Sequence, residues 1–115
     1  MKSGDIFWCS DVPTVSHTGK VVQKDRPVLV FSNDSSLKSS GIAQVIPLSG
    51  QVQKLHKIPT HILIGEGLDL CKPSMLLPEQ ICTVPQRAFG DYLGNVGEEA
   101  LKVIGKSVQI QLGII

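Results

Sequence analysis

Apolar and polar positions alternate in several short runs along the chain. In "GDIFWC", residues 4–9, Ile6 and Trp8 alternate with Asp5 and Phe7, and "PVLVFS", residues 27–32, is a short β-branched run bounded by Pro27 and Asn33. "GIAQVIPLS" and "THILIG" repeat the pattern, while "SMLLPEQICTV" reads as two short strands broken at Pro78. Each run predicts a strand, and the connections between them are short. Residues 10–25 are the exception, a long polar first connection of the kind that often carries function. In "FSNDSS", residues 31–36, Asn33 and Asp34 follow an apolar strand, and because Asn, Asp and Ser bond their own backbone the stretch predicts a structural turn.

The period changes near the C-terminus. Val96, Ala100, Val103, Ile104, Val108 and Leu112 recur at helical spacing, and Asn95 stands three residues before Glu98, the arrangement of a capping box. Gly97 and Gly105 each cost about 1 kcal/mol relative to alanine inside a helix, so packing must hold this one together. The expected fold is mainly β with a C-terminal α-helix: a small, strongly bent antiparallel barrel with the helix packed on it.

Composition narrows the class. A chain of 115 residues predicts a single domain over residues 1–115, and 42% hydrophobic with 18% charged residues is globular. No apolar run approaches the ~20 residues needed to span a bilayer. "MKSGDIFWCSD" lacks the apolar segment of a secretory signal, so a soluble, cytoplasmic protein without membrane association is expected. Cys9, Cys71 and Cys82 are odd in number, widely spaced and never C-x-x-C, which predicts reduced thiols rather than disulfides or a metal site. A net charge of +1 means that any nucleic-acid contact is local, and the short basic run "QKLHK", residues 53–57, with His56, reads as a solvated loop.

The ordered segments "GDIFW", "RPVLVFSND", "IPLSGQVQK", "IPTHILI", "LLPEQICTV" and "VQIQLGII" together resemble the MazF/PemK family of toxin endoribonucleases, over nearly the whole chain. The resemblance implies an SH3-like barrel of the CcdB/Kid/MazF type and a homodimer. It implies sequence-selective cleavage of single-stranded RNA by 2′-hydroxyl attack, with no metal or other cofactor, and inhibition by a cognate MazE/PemI-like antitoxin. The first connection departs from the family pattern. In "SHTGKVVQKDRP" Thr18 stands near the usual acidic position and paired glycines are missing.

Metal-free RNA cleavage needs a base for the 2′-hydroxyl proton, positive charge on the phosphorane-like transition state and an acid for the leaving oxygen. The resemblance makes Arg26 that charge, through the paired donors of its guanidinium. It places the Ser49 hydroxyl beside the scissile phosphate. His17 is the histidine placed for acid–base work, since imidazole exchanges protons near neutrality. Glu79 either serves as the base or accepts from an exocyclic amine, and Gln80 reads a base edge. His61 can stack on an unpaired base, and Thr60 and Gln51 complete the expected RNA contacts. The competing reading is a gyrase-poisoning toxin of the same fold, related to CcdB. That relative acts through a C-terminal Trp-Gly-Ile, whereas this chain ends in Gln-Leu-Gly-Ile-Ile with its sole tryptophan at Trp8.

Overall fold

The computed structural model describes residues 1–16, 18–50, 60–65, 67–70 and 72–115. Its strands are β1 (Asp5–Val15), β2 (Val21–Val30), β3 (Ile42–Ser49), β4 (Ile62–Ile64), β5 (Ser74–Leu76), β6 (Cys82–Pro85) and β7 (Phe89–Asn95). A short helix α1 (Asp34–Ser39) joins β2 to β3, and α2 (Gly97–Gln111) follows β7. The seven-stranded sheet runs β4-β5-β3-β2-β1-β7, with β6 on β3, and every pairing is antiparallel. The mainly β fold with a terminal helix is as expected.

The sheet is bent strongly enough to hold apolar clusters on both faces. Cys9, Val12, Val28, Val30, Leu37, Ala43, Val45 and Val84 form one; Ile6, Leu29, Ile46, Leu48 and Leu76 form the other, under Ile104 and Val108 of α2. Because Val28, Leu29 and Val30 are buried on alternating sides, "PVLV" reads as a continuous apolar run.

Several expectations are corrected. Residues 10–25 are mostly strand, since β1 and β2 continue as a hairpin through Val12↔Lys24 and Val15↔Val21. Gly19, at φ +87°, makes that turn, and its amide donates to the Ser16 carbonyl at 2.8 Å. The arm is exposed at Val15, Val21 and Val22, so no buried face imposed a clean alternation on it. "FSNDSS" opens a helix rather than forming a simple turn. Asn33 Oδ1 accepts from the Ser36 amide at 2.8 Å as an N-cap, and Leu37 anchors the helix in the first cluster.

At α2, Asn95 Oδ1 accepts from the Gly97 amide at 2.7 Å, while Asn95 Nδ2 donates to Asp5 Oδ1 at 2.9 Å. The expected box with Glu98 is replaced by this tie to β1. Gly97 opens the helix at φ +86°, where glycine is favoured, so it imposes no interior penalty. The helix ends in a Schellman motif: Gly113, at φ +75°, donates to Ile110, and Ile114 donates to Gln109. The buried stripe is narrower than the periodicity predicted. Ile104 and Val108 are buried, whereas Val103 is 60% exposed and Leu112 55%.

Ile104→Ala is expected to lower the unfolding free energy by about 2–5 kcal/mol, the usual cost of emptying a filled core position. Val103→Ala should stay within about 0.5 kcal/mol of wild type. Urea unfolding monitored by circular dichroism measures both, and equal losses would contradict this placement of the helix face.

Candidate functional site

Arg26 lies on β2 opposite Cys9 of β1. Immediately beyond this pair the ladder shifts register, so that Ser10 and Asp11 together face Asp25. Asp11 adopts φ +53°, and its amide donates to Asp25 Oδ1 at 3.0 Å. This bulge lets Cys9 and Val12 both point into the core while Ser10 and Asp11 stay outside. Bulges and left-handed non-glycine residues concentrate beside functional positions because they re-aim the strand. Neither feature carries a sequence signal that alternation could reveal.

Strand register builds the rest of this corner. β2 pairs with β3 from Val30↔Val45 to Val28↔Pro47, and Arg26 and Ser49 each stand two residues beyond the last pair of this ladder. Ser49 in turn faces Met75 of β5, and Met75 faces Leu63 of β4. Residues opposed in an antiparallel ladder project to the same side. Ser49, Met75 and Leu63 therefore form one row across the sheet, and Arg26 shares their face, opposite α2. His61, just before β4, has the same parity and flanks that row.

Arg26 is 8% exposed, and its Nε has no hydrogen-bond partner among the described residues. Burial pushes the guanidinium pKa below its usual value, and among the described residues no carboxylate lies within ion-pair distance of it. A cation stripped of water and left without a counter-charge is costly unless an anion completes the site.

The other residues gather around the 3-10 turn Pro78–Gln80. His61 Nε2 lies 3.0 Å from both Glu79 carboxylate oxygens, with side-chain exposures of 5% and 23%. The Gln80 amide clasps the hairpin: Val15 N–H donates to Oε1 at 2.9 Å, and Nε2 donates to the Val15 carbonyl at 2.8 Å. The edge of Gln80 that could read a base is thus in contact with the protein's own backbone. Thr60 is tied to α2, donating to Gln111 Oε1 at 2.7 Å and accepting at its carbonyl from Ser107 Oγ at 2.7 Å. His17, Gln51, His56, the run 53–57 and Cys71 lie outside the described residues.

Arg26 and Ser49 thus lie just past the end of the β2–β3 ladder on one face of the sheet, His61 meets Glu79 by side-chain contact, and Gln80 meets Val15 instead. Among the described residues no group of His, Cys, Asp and Glu is arranged to hold a metal ion, and no helix is long and apolar enough to cross a membrane. Cys9 and Cys82 are free thiols. Burial raises the Cys9 thiol from 9.0 to about 11, with Cys82, Asp25 and Asp11 adding to the shift, and burial also raises Cys82.

The site thus lies on a bent antiparallel sheet that has a terminal helix and carries a buried arginine with no carboxylate within ion-pair distance among the described residues. A family model of PemK-like, MazF-like toxins of type II toxin–antitoxin systems matches residues 2–112, and the chain belongs to that family. It is 32% identical over 117 residues to endoribonuclease EndoA of Bacillus subtilis, covering 100% of this chain and 97% of that protein. It is 30% identical over 116 residues to endoribonuclease MazF of Staphylococcus saprophyticus, covering 99% and 92% respectively. A mycobacterial endoribonuclease solved in complex with its cognate antitoxin shares the fold, with a TM-score of 0.76 over 100% of this chain and 97% of that chain at 20% identity.

Gln80→Ala removes both clasp bonds, and at about 1 kcal/mol each the Val15 amide should exchange with solvent roughly tenfold faster or more. Hydrogen exchange read by NMR checks this; unchanged protection would show that the hairpin is held by other contacts. The raised Cys9 pKa makes a second prediction. Below about pH 9 the thiol is neutral in folded and unfolded chains, so its contribution to stability is intact. As pH rises from about 9 towards 11 only the unfolded chain ionises, and stability falls. Urea midpoints across that range should decline less steeply in Cys9→Ala than in wild type.

Proposed function

We propose that residues 1–115 form one toxin domain, a cytoplasmic endoribonuclease that cleaves single-stranded RNA and is restrained by a cognate antitoxin. The single observation that carries this reading is the buried Arg26 guanidinium, whose Nε has no hydrogen-bond partner among the described residues, on the same face of the sheet as Ser49. Membership of the family, with relatives named endoribonucleases, supports it over the gyrase-poisoning alternative.

In the proposed mechanism the ribose 2′-oxygen attacks the adjacent phosphorus and the P–O5′ bond breaks, leaving a 2′,3′-cyclic phosphate and a 5′-hydroxyl. Arg26 stabilises the charge that grows on the phosphorane oxygens, at little reorganisation cost because its position is already fixed by packing. Ser49 donates a hydrogen bond that orients the phosphate. His17 takes the 2′-proton, with Glu79, whose carboxylate oxygens meet His61, as the alternative base. Gln51 and His61 contribute RNA contacts, whereas the Gln80 amide and the Thr60 hydroxyl are engaged by Val15 and Gln111. The exposed apolar residues of α2 and the tail, Val103, Ile110, Leu112, Ile114 and Ile115, favour a homodimer.

Arg26→Ala should lower the cleavage rate on the order of 10²-fold or more, with the fold retained. Ser49→Ala should be milder. Cleavage of a long RNA should persist in EDTA and yield the cyclic phosphate and 5′-hydroxyl ends. Wild-type turnover in Arg26→Ala, or 5′-phosphate ends, would reject the mechanism.

A further inference from the structure

The outer arm of the β1–β2 hairpin carries a second cation on the face of Arg26. The pairing Cys9↔Arg26 is followed by Val12↔Lys24, and the extra residue between these pairs belongs to β1. β2 therefore keeps its alternation through the bulge, and residues two apart on it project to one side. The residues across from them agree: Cys9 and Val12, opposite Arg26 and Lys24, are both buried in the same apolar cluster. Arg26, Lys24 and Val22 thus form a row along one strand, with steps of about 6.7 Å between their Cα atoms.

Burial falls away outward along this row, from Arg26 to the exposed Lys24 and Val22. A phosphodiester chain anchored at Arg26 can continue outward over Lys24, the first exposed position of the row. The arm that carries Lys24 is held in place by two side chains: the Gln80 amide bonds both backbone groups of Val15, at 2.9 and 2.8 Å, and Asp25 Oδ1 accepts from the Asp11 amide at 3.0 Å. Asp25, next to Lys24 in sequence, alternates to the other face of β2. Among the described residues the one ion pair is His61–Glu79, so neither Lys24 nor Arg26 has a carboxylate within ion-pair distance. Two cations of different kinds thus follow one another along the strand: one buried and planar, the other exposed and on a flexible stem.

The geometry points to Lys24 as an RNA-binding residue that holds a backbone phosphate beside the one Arg26 engages. This assignment rests on the ribonuclease reading of Arg26. An exposed ammonium on a four-carbon stem makes much the same contact in the ground state and the transition state. Lys24 therefore contributes to substrate binding more than to the chemical step, whereas the charge on Arg26 meets the reacting phosphate itself.

The test measures binding of a mixed-sequence 2′-O-methyl RNA oligonucleotide by fluorescence anisotropy over a series of salt concentrations. It also measures KM and kcat on a long single-stranded RNA. Losing one phosphate contact to a single strand should flatten the slope of log affinity against log salt by about 0.7. Lys24→Met should show that change, with KM raised up to about fivefold, the range of an exposed ion pair, and kcat within a factor of about two. Lys24→Arg should keep the wild-type slope. Lys106→Met, on α2, which packs on the opposite face through Ile104 and Val108, removes the same net charge and should leave the slope unchanged. A wild-type slope in Lys24→Met, an equal flattening in Lys106→Met, or a loss confined to kcat overturns the assignment. A wild-type protein that binds the oligonucleotide with the expected Lys24 dependence but cuts no RNA would instead refute the nuclease reading alone.

Discussion

Pro47 has no amide hydrogen, and the edge of β3 on which that hydrogen would project is the edge that changes partner. Phe31 N–H donates to the Gln44 carbonyl, so the backbone groups of Gln44 and Ile46 face β2 while those of Val45 and Pro47 face outward. On that outer side Cys82 of β6 pairs with Val45, and the Leu77 amide donates to the Pro47 carbonyl. Between these contacts the chain from Pro78 to Ile81 has only Ile46 across from it, so it leaves the ladder as a 3-10 turn. A strand position that cannot donate is tolerable where the neighbouring chain is already departing. That departure lifts Glu79 and Gln80 off the sheet, one to meet His61 and the other to meet Val15.

The electrostatic character of the site is similarly local. A chain of net charge +1 has no global field with which to collect RNA. Its positive potential is concentrated by burial and by the absence of counter-charge around Arg26 among the described residues, rather than by an excess of basic residues. The Asp11–Asp25 bulge illustrates how closely this is managed: two carboxylates lie next to Arg26 in sequence or register, and Asp25 is engaged by the Asp11 amide.

Where one face of a strand is buried and the other half-exposed, the sequence announces the strand, as in "GIAQVIPLS" and "THILIG". The outer hairpin arm was hidden because Val15, Val21 and Val22 have no core to select them. β7 was hidden because "FGDYLGN" contains glycines, shifts register against β1 and is exposed over its middle. The helix α1 shares its Asn-Asp-Ser chemistry with ordinary turns, and only Leu37 distinguishes it. At the site, Arg26, Ser49, Glu79 and Gln80 stand in motifs that local sequence preserves.

The sheet also ends in ways that matter when many copies accumulate. Among the described residues the outer strands are β4, only three residues long, β6, four residues long and paired with β3 alone, and β7, which is interrupted by register shifts and by Gly94 at φ +125°. None of them offers a long, flat run of unsatisfied backbone groups on which another chain could template itself. Polymerisation by successive strand addition is therefore discouraged at these borders. A protein that exposes this much apolar surface on its terminal helix can self-associate through matched side-chain shapes without inviting fibrils along its backbone.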